Sequence, residues 1–189
     1  EPANKAGGDY FDYFPMQNGC LGIVVADVAG HGIAFGDIDN DGDQDIYSSV
    51  GGAVEDDHYP NQLFANPGHG NRWLKLHLEG LSTNRGAIGA RVKVVVREGA
   101  AERAIHRAVG TGASFGSNPL RQEIGLGQAT HIERVEIFWP VSGITQMVTG
   151  LKPDSCYRIC EGQPAVPLVL RPISFPPAAA AGGHHHHHL

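Results

Sequence analysis

What the chain has little of excludes several functions at once. It contains no run of about 18 apolar residues, the length a membrane-spanning helix requires. Lys and Arg number 14 against 20 Asp and Glu, giving a formal net charge of −6. Nonspecific nucleic-acid binding needs a basic face, which this balance does not supply. Cysteine is scarce: Cys20, Cys156 and Cys160 leave at least one thiol unpaired and give no disulfide framework. On one strand, Cys156 and Cys160 would stand roughly 13 Å apart, beyond the reach of a disulfide. A strong helical period is also missing. What is abundant is glycine, at 26 residues, with 12 prolines, a composition suited to short strands joined by tight turns. The fold class expected is all-β, and 189 residues suffice for one domain with a proper core or for a small domain plus a fragment.

The strands announce themselves by alternation. Leu74, Leu76 and Leu78 alternate with Lys75, His77 and Glu79, the period of two expected when one sheet face is buried and the other wet. Val92, Val94 and Val96 alternate with Arg91, Lys93, Val95 and Arg97, and Val135, Ile137 and Trp139 with Arg134 and Glu136 before Pro140 ends the run. Further strands are expected over residues 104–109, 120–126, 145–148 and 156–160. Turn signals at intervals of about 8–15 residues point to an antiparallel β-sandwich or a barrel. Residues 163–181 are rich in Pro and Ala, with one apolar run over 166–170 that would add an edge strand. The terminal histidine run at 184–188 is a purification tag and carries no metal claim.

The densest chemistry lies in GDIDNDGDQDIYSSV, residues 36–50. Asp37, Asp39, Asp41, Asp43 and Asp45 fall on alternate positions, and Gly42 stands where a tight turn is needed. Carboxylates crowded on so short an arc repel one another unless a cation sits among them, and Ca2+ is best satisfied by several oxygen ligands at once. Counted from Asp37, ligand positions 1, 3, 5, 7 and 9 and the glycine at 6 fit the calcium loop of helix–loop–helix proteins. Position 12 is Ser48 where that motif has Glu, and both flanks, Ile33-Ala34-Phe35 and Ile46-Tyr47, are rich in strand formers. The reading is a strand-flanked calcium loop, in which Asp37, Asp39, Asp41 and Asp45 ligate through side chains and Asp43 through its backbone carbonyl. Asp and Gly also favour turns on their own account, so an acidic turn without an ion is the plainer alternative.

AFGDIDNDGDQDIYSS resembles the calcium-loop repeat of FG-GAP and VCBS-type β-propeller blades, and the sequence after it resembles the ASPIC/UnbV domain. The residues that carry the second likeness are Tyr59-Pro60-Asn61-Gln62-Leu63-Phe64, Asn71-Arg72-Trp73-Leu74-Lys75-Leu76, Asn84-Arg85-Gly86-Ala87-Ile88-Gly89-Ala90-Arg91-Val92, Gly125-Leu126-Gly127 and Val135-Glu136-Ile137-Phe138-Trp139-Pro140. The resemblance implies a secreted or extracytoplasmic, noncatalytic adhesion or ligand-binding module whose partner is a protein or a carbohydrate. It divides the chain into a calcium-loop repeat over 34–66, a β-sandwich over 67–162 and a tail over 163–189. One blade-like repeat cannot close a propeller ring, so the loop is expected to decorate the sandwich.

Residues 1–33 read differently. An apolar strand, Leu21-Gly22-Ile23-Val24-Val25-Ala26, ends in Asp27 and a Gly30-His31-Gly32 turn, after Gly7-Gly8-Asp9-Tyr10-Phe11-Asp12. This resembles the opening of metal-dependent serine/threonine phosphatases of the RsbU/SpoIIE kind. That likeness implies Mn2+ or Mg2+ held by Asp9 and Asp27, with Asp12 or His31 assisting a water that attacks a phosphoester. Such a domain needs on the order of 200 residues, and here the chain passes directly into the acidic loop. The competing reading of the segment is a β-hairpin that serves packing. Elsewhere His77 and His106 occupy wet strand positions, His58 adjoins Asp56 and Asp57, and Ser114 lies in a glycine-rich turn that is no nucleophile elbow.

Overall fold

The chain is described by a computed structural model that covers residues 10–15, 21–26, 33–48, 60–110 and 119–173. Every regular element among these residues is a strand. The strands β1 (Tyr10–Pro15) and β2 (Leu21–Ala26) form an antiparallel hairpin by themselves. A three-stranded antiparallel sheet follows, built of β3 (Ile33–Gly36), β4 (Asp45–Ser48) and β5 (Gln62–Phe64), with β4 in the middle.

The rest is a two-layer sandwich. In chain order its strands are β6 (Arg72–Glu79), β7 (Arg91–Glu98), β8 (Ala101–Ala108), β9 (Gln122–Gly127), β10 (His131–Phe138), β11 (Thr145–Val148), β12 (Ser155–Cys160) and β13 (Ala165–Leu168). One sheet has the order β11-β10-β7-β8 and the other β13-β12-β6-β9. The alternating apolar residues meet between them. Leu74, Leu76, Val94, Val96, Val135 and Ile137 are each wholly buried in one apolar cluster fed by both sheets. Each such side chain contributes on the order of 1.5–3 kcal/mol by leaving water. Trp139, immediately after β10, is also wholly buried, and its indole Nε1–H donates to Gln146 Oε1 at 2.9 Å, which removes the cost of burying that donor.

Three findings depart from the expected pattern, the first being Val95, which falls with the outward residues of β7 yet is buried. The β6–β12 pairing is parallel, running from Ser155 beside Leu74 to Cys160 beside Glu79, so the sandwich is not purely antiparallel. Lys75, expected on the wet face of β6, is 1 % exposed. The outer face of β6 is therefore covered at that point, and what covers it is the acidic loop described below. Cys156 and Cys160 are free thiols, and their spacing rules out a bond between them. The apolar run after residue 163 does supply an edge strand, β13, paired antiparallel to β12.

One buried carboxylate organises the sandwich rim. Glu161 is 5 % exposed, and its Oε2 accepts the backbone N–H groups of Leu81, Ser82 and Thr83, each at 2.8 Å. Its Oε1 accepts the hydroxyls of Thr83, at 3.2 Å, and Ser142. Burial alone pushes this carboxyl upward, but the hydrogen bonds from Ser142, Thr83, Leu81 and Ser82 prevail and hold it down from the usual 4.5 to about 2.

Candidate metal centre

The β3–β4 pairing ends at Gly36 opposite Asp45, so the acidic residues form the hairpin's connecting loop. Two positions turn the chain by positive φ, Asn40 at 65° and Gly42 at 104°. Glycine is required at the second for a further reason: a Cβ there would overlap the indole of Trp73 on β6. The loop's own carboxylates tie its backbone down in the manner of Asx turns. Asp37 Oδ2 accepts from Gly42 N at 2.8 Å, Asp39 Oδ1 from Asp41 N at 3.2 Å, and Asp41 Oδ1 from Asp43 N at 2.9 Å. Asp45, wholly buried, accepts from Ile38 N and from Asn66 N, both at 2.9 Å.

This wrapping brings three of the five aspartates together. Ligand oxygens of Asp37, Asp39 and Asp45 lie within 4.8 Å of one another. Asp41 is exposed and Asp43 half-buried, and the carboxylates of both lie outside that group. Proximity of like charge marks the cluster electrostatically. The Asp39 carboxyl is raised above its ordinary value by burial first, and then by the charges of Asp41, Asp45 and Asp37, against the lowering hydrogen bond from Asp41. Asp43 is raised likewise, by burial and by Asp41. One oxygen is left over: among the described residues, buried Asp37 Oδ1 has no hydrogen-bond partner. A buried acceptor left bare costs roughly 1–3 kcal/mol, and a cation seated beside it would remove that cost. The donor set, all oxygen and mostly carboxylate, fits a hard divalent ion of Ca2+ type.

The loop docks on the sandwich through residues that sequence reasoning did not place there. Lys75 Nζ forms an ion pair with Asp37 Oδ2, both side chains at most 1 % exposed. The same ammonium lies 4.8 Å from the centroid of the Trp73 ring, within cation–π range. Around this pair, Gln44 Nε2 donates to Glu123 of β9. The chain beyond β13 returns over the loop, where Asn40 Nδ2 donates to the Arg171 carbonyl at 3.3 Å and Ile173 N donates to the Asp39 carbonyl at 2.9 Å. The local sequence carried one signal of this cover. Trp73 shares the outer face of β6 with Lys75, and a Trp flanking a supposedly wet Lys marks a face that something packs against.

Of the alternative site, Asp12 lies on β1 opposite Val24, while Asp9, Asp27 and His31 lie outside the described residues. His58 and Ser114 lie outside them as well. His77 and His106 are exposed on their strands, as expected. An open cleft of about 850 Å³ runs beside β11 and β13, lined in part by Met147, Leu151, Lys152, Tyr157 and Pro167, and none of the acidic-loop residues contributes to it.

Residues 80–166 match the family model described as ASPIC and UnbV. That span takes in β7 to β12 and reaches β13, but it includes neither β6 nor the acidic loop. No match is found among curated proteins. Among the described residues, no helix is long and apolar enough to cross a membrane.

Proposed function

We propose that the chain is a calcium-binding, noncatalytic adhesion or ligand-binding β module, working outside the cytoplasm on a protein or carbohydrate partner. The observation that carries the metal assignment is the buried, unpartnered Asp37 Oδ1 beside the carboxylates of Asp39 and Asp45. Asp41 and Asp43 complete the ligand set, Asp41 once an ion draws its carboxylate inward and Asp43 through its backbone carbonyl, and Gly42 permits the turn. The loop belongs to the FG-GAP/VCBS type on its Asp-x-Asp-x-Asp-Gly-Asp-x-Asp spacing and its strand flanks. Calcium here is structural: it neutralises the loop and fixes the three-stranded sheet that carries it against the sandwich. The match of residues 80–166 to the ASPIC and UnbV family supports the ligand-binding role of the sandwich, and the cleft beside β11 and β13 is the surface we assign to the partner.

The test is thermal unfolding with Ca2+ and with chelator. An ion that binds only the folded chain stabilises it by about 2.7 kcal/mol at a hundredfold excess over its dissociation constant. The melting temperature is expected to rise with Ca2+ and to fall back on chelation, and Asp45→Asn is expected to abolish the response. A melting temperature indifferent to both additions overturns the proposal.

A further inference from the structure

Lys75 is the least expected residue in the structure. Its ammonium is buried on a sheet face that the sequence assigns to solvent, and among the described residues Asp37 is its one ion-pair partner. A buried ammonium with three donors and so little to satisfy them is costly unless negative charge surrounds it. The acidic loop provides that charge. Asp37, Asp39 and Asp45 together carry three negative charges when ionised, and the ammonium of β6 offsets one of them from within the same chain.

We propose that Lys75 is the tethered counter-ion of the acidic loop, holding it on the sandwich when no metal is bound and limiting the affinity with which a divalent cation enters. The inference rests on the metal reading above and adds its regulation. The two oxygens of Asp37 divide the work: Oδ2 takes Lys75 and the Gly42 N–H, and Oδ1 stays free for the ion. A divalent ion at Oδ1 therefore lies a few ångströms from a fixed positive charge. Repulsion of that kind weakens binding about tenfold at a separation of about 6 Å even at the dielectric of water, and more where water is excluded. The consequence is a loop that keeps its place without metal and binds Ca2+ weakly, in the range typical of modules that work in calcium-rich surroundings. Trp73 belongs to the same device, since its ring face gives the ammonium a second favourable contact while keeping water away.

The experiment is a calorimetric Ca2+ titration of the full chain as wild type, Lys75→Met and Lys75→Arg, with apo melting temperatures measured alongside. Lys75→Met retains the length of the stem and removes the charge. It is expected to bind Ca2+ about tenfold more tightly or better and to melt lower without metal, while Lys75→Arg stays within about threefold of wild type. Should apo Lys75→Met not hold its fold, the comparison runs from the loaded side, reading the free Ca2+ at which chelator unfolds each protein; a lower value for the variant supports the proposal. Unchanged or weaker Ca2+ binding by Lys75→Met overturns it and leaves the metal site standing, with Lys75 then a residue that merely positions Asp37. If neither wild type nor Lys75→Met binds Ca2+, the metal reading falls and this inference with it.

Discussion

The contact between Gly42 and Trp73 decides whether the acidic loop is seated on the sandwich, and it can be measured by a double-mutant cycle. Gly42 has φ of 104°, where any L side chain is strained by roughly 1–2 kcal/mol. A Cβ at this position would also overlap the Trp73 indole, and overpacking of that kind costs a further 1–3 kcal/mol or so. Gly42→Ala should therefore destabilise the chain by about 2–5 kcal/mol. In a Trp73→Ala background the steric part has nothing to act on and only the backbone strain remains. The coupling between the two substitutions should be about 1–3 kcal/mol in the sense that the double mutant is better than the sum. Urea unfolding of the four proteins, followed by far-ultraviolet circular dichroism, supplies the free energies, and the buried Trp139 serves as an independent fluorescent reporter of the sandwich. Additivity within about 0.5 kcal/mol would refute the seated arrangement and, with it, the ion pair of Lys75 and Asp37.

Four further outcomes are expected. Because the Glu161 carboxyl is held at about 2 when folded and 4.5 ordinarily, its contribution is complete above pH 4.5 and is lost as pH falls towards 2; Glu161→Gln should flatten the acid limb of the melting curve over that window, measured against wild type. Asp45→Ala strips the partners from the Ile38 and Asn66 N–H groups, at roughly 1–3 kcal/mol for each donor left buried, and should lower the melting temperature even in chelator. Gln146→Ala orphans the buried Trp139 indole N–H and should cost roughly 1–3 kcal/mol by denaturant titration. Hydrolysis of p-nitrophenyl phosphate with added Mn2+ should not exceed the buffer rate; activity that Asp9→Ala and Asp27→Ala both abolish would favour the phosphoesterase reading instead.

The sandwich was legible because its signal is local. Leu74, Leu76 and Leu78, then Val92, Val94 and Val96, and Val135, Ile137 and Trp139 each point one way by a period of two, and all of them lie in the buried cluster. The parallel pairing of β6 with β12 was not legible, since the two strands are about eighty residues apart and no alternation within either records its neighbour. Lys75 was misplaced for a related cause. Assigning a residue to water by its polarity assumes that nothing covers the face, whereas here a separate hairpin loop does, and only Trp73 two positions away hinted at it. In the acidic loop, spacing alone pointed to the segment where carboxylates gather, but it could not tell that Asp37, Asp39 and Asp45 converge while the carboxylates of Asp41 and Asp43 lie outside that group. For Asp41 the cause is local: its Oδ1 accepts from Asp43 N, which holds that carboxylate against the loop's own backbone.

The most direct measurement of the central claim is the Ca2+ content of the full chain after equilibrium dialysis, compared with Asp37→Asn, Asp39→Asn and Asp45→Asn. A single ion per chain, held by wild type and lost from each variant, is the predicted result. Wild type emerging with no bound Ca2+ from dialysis against millimolar calcium, or all three variants retaining it, would contradict the account.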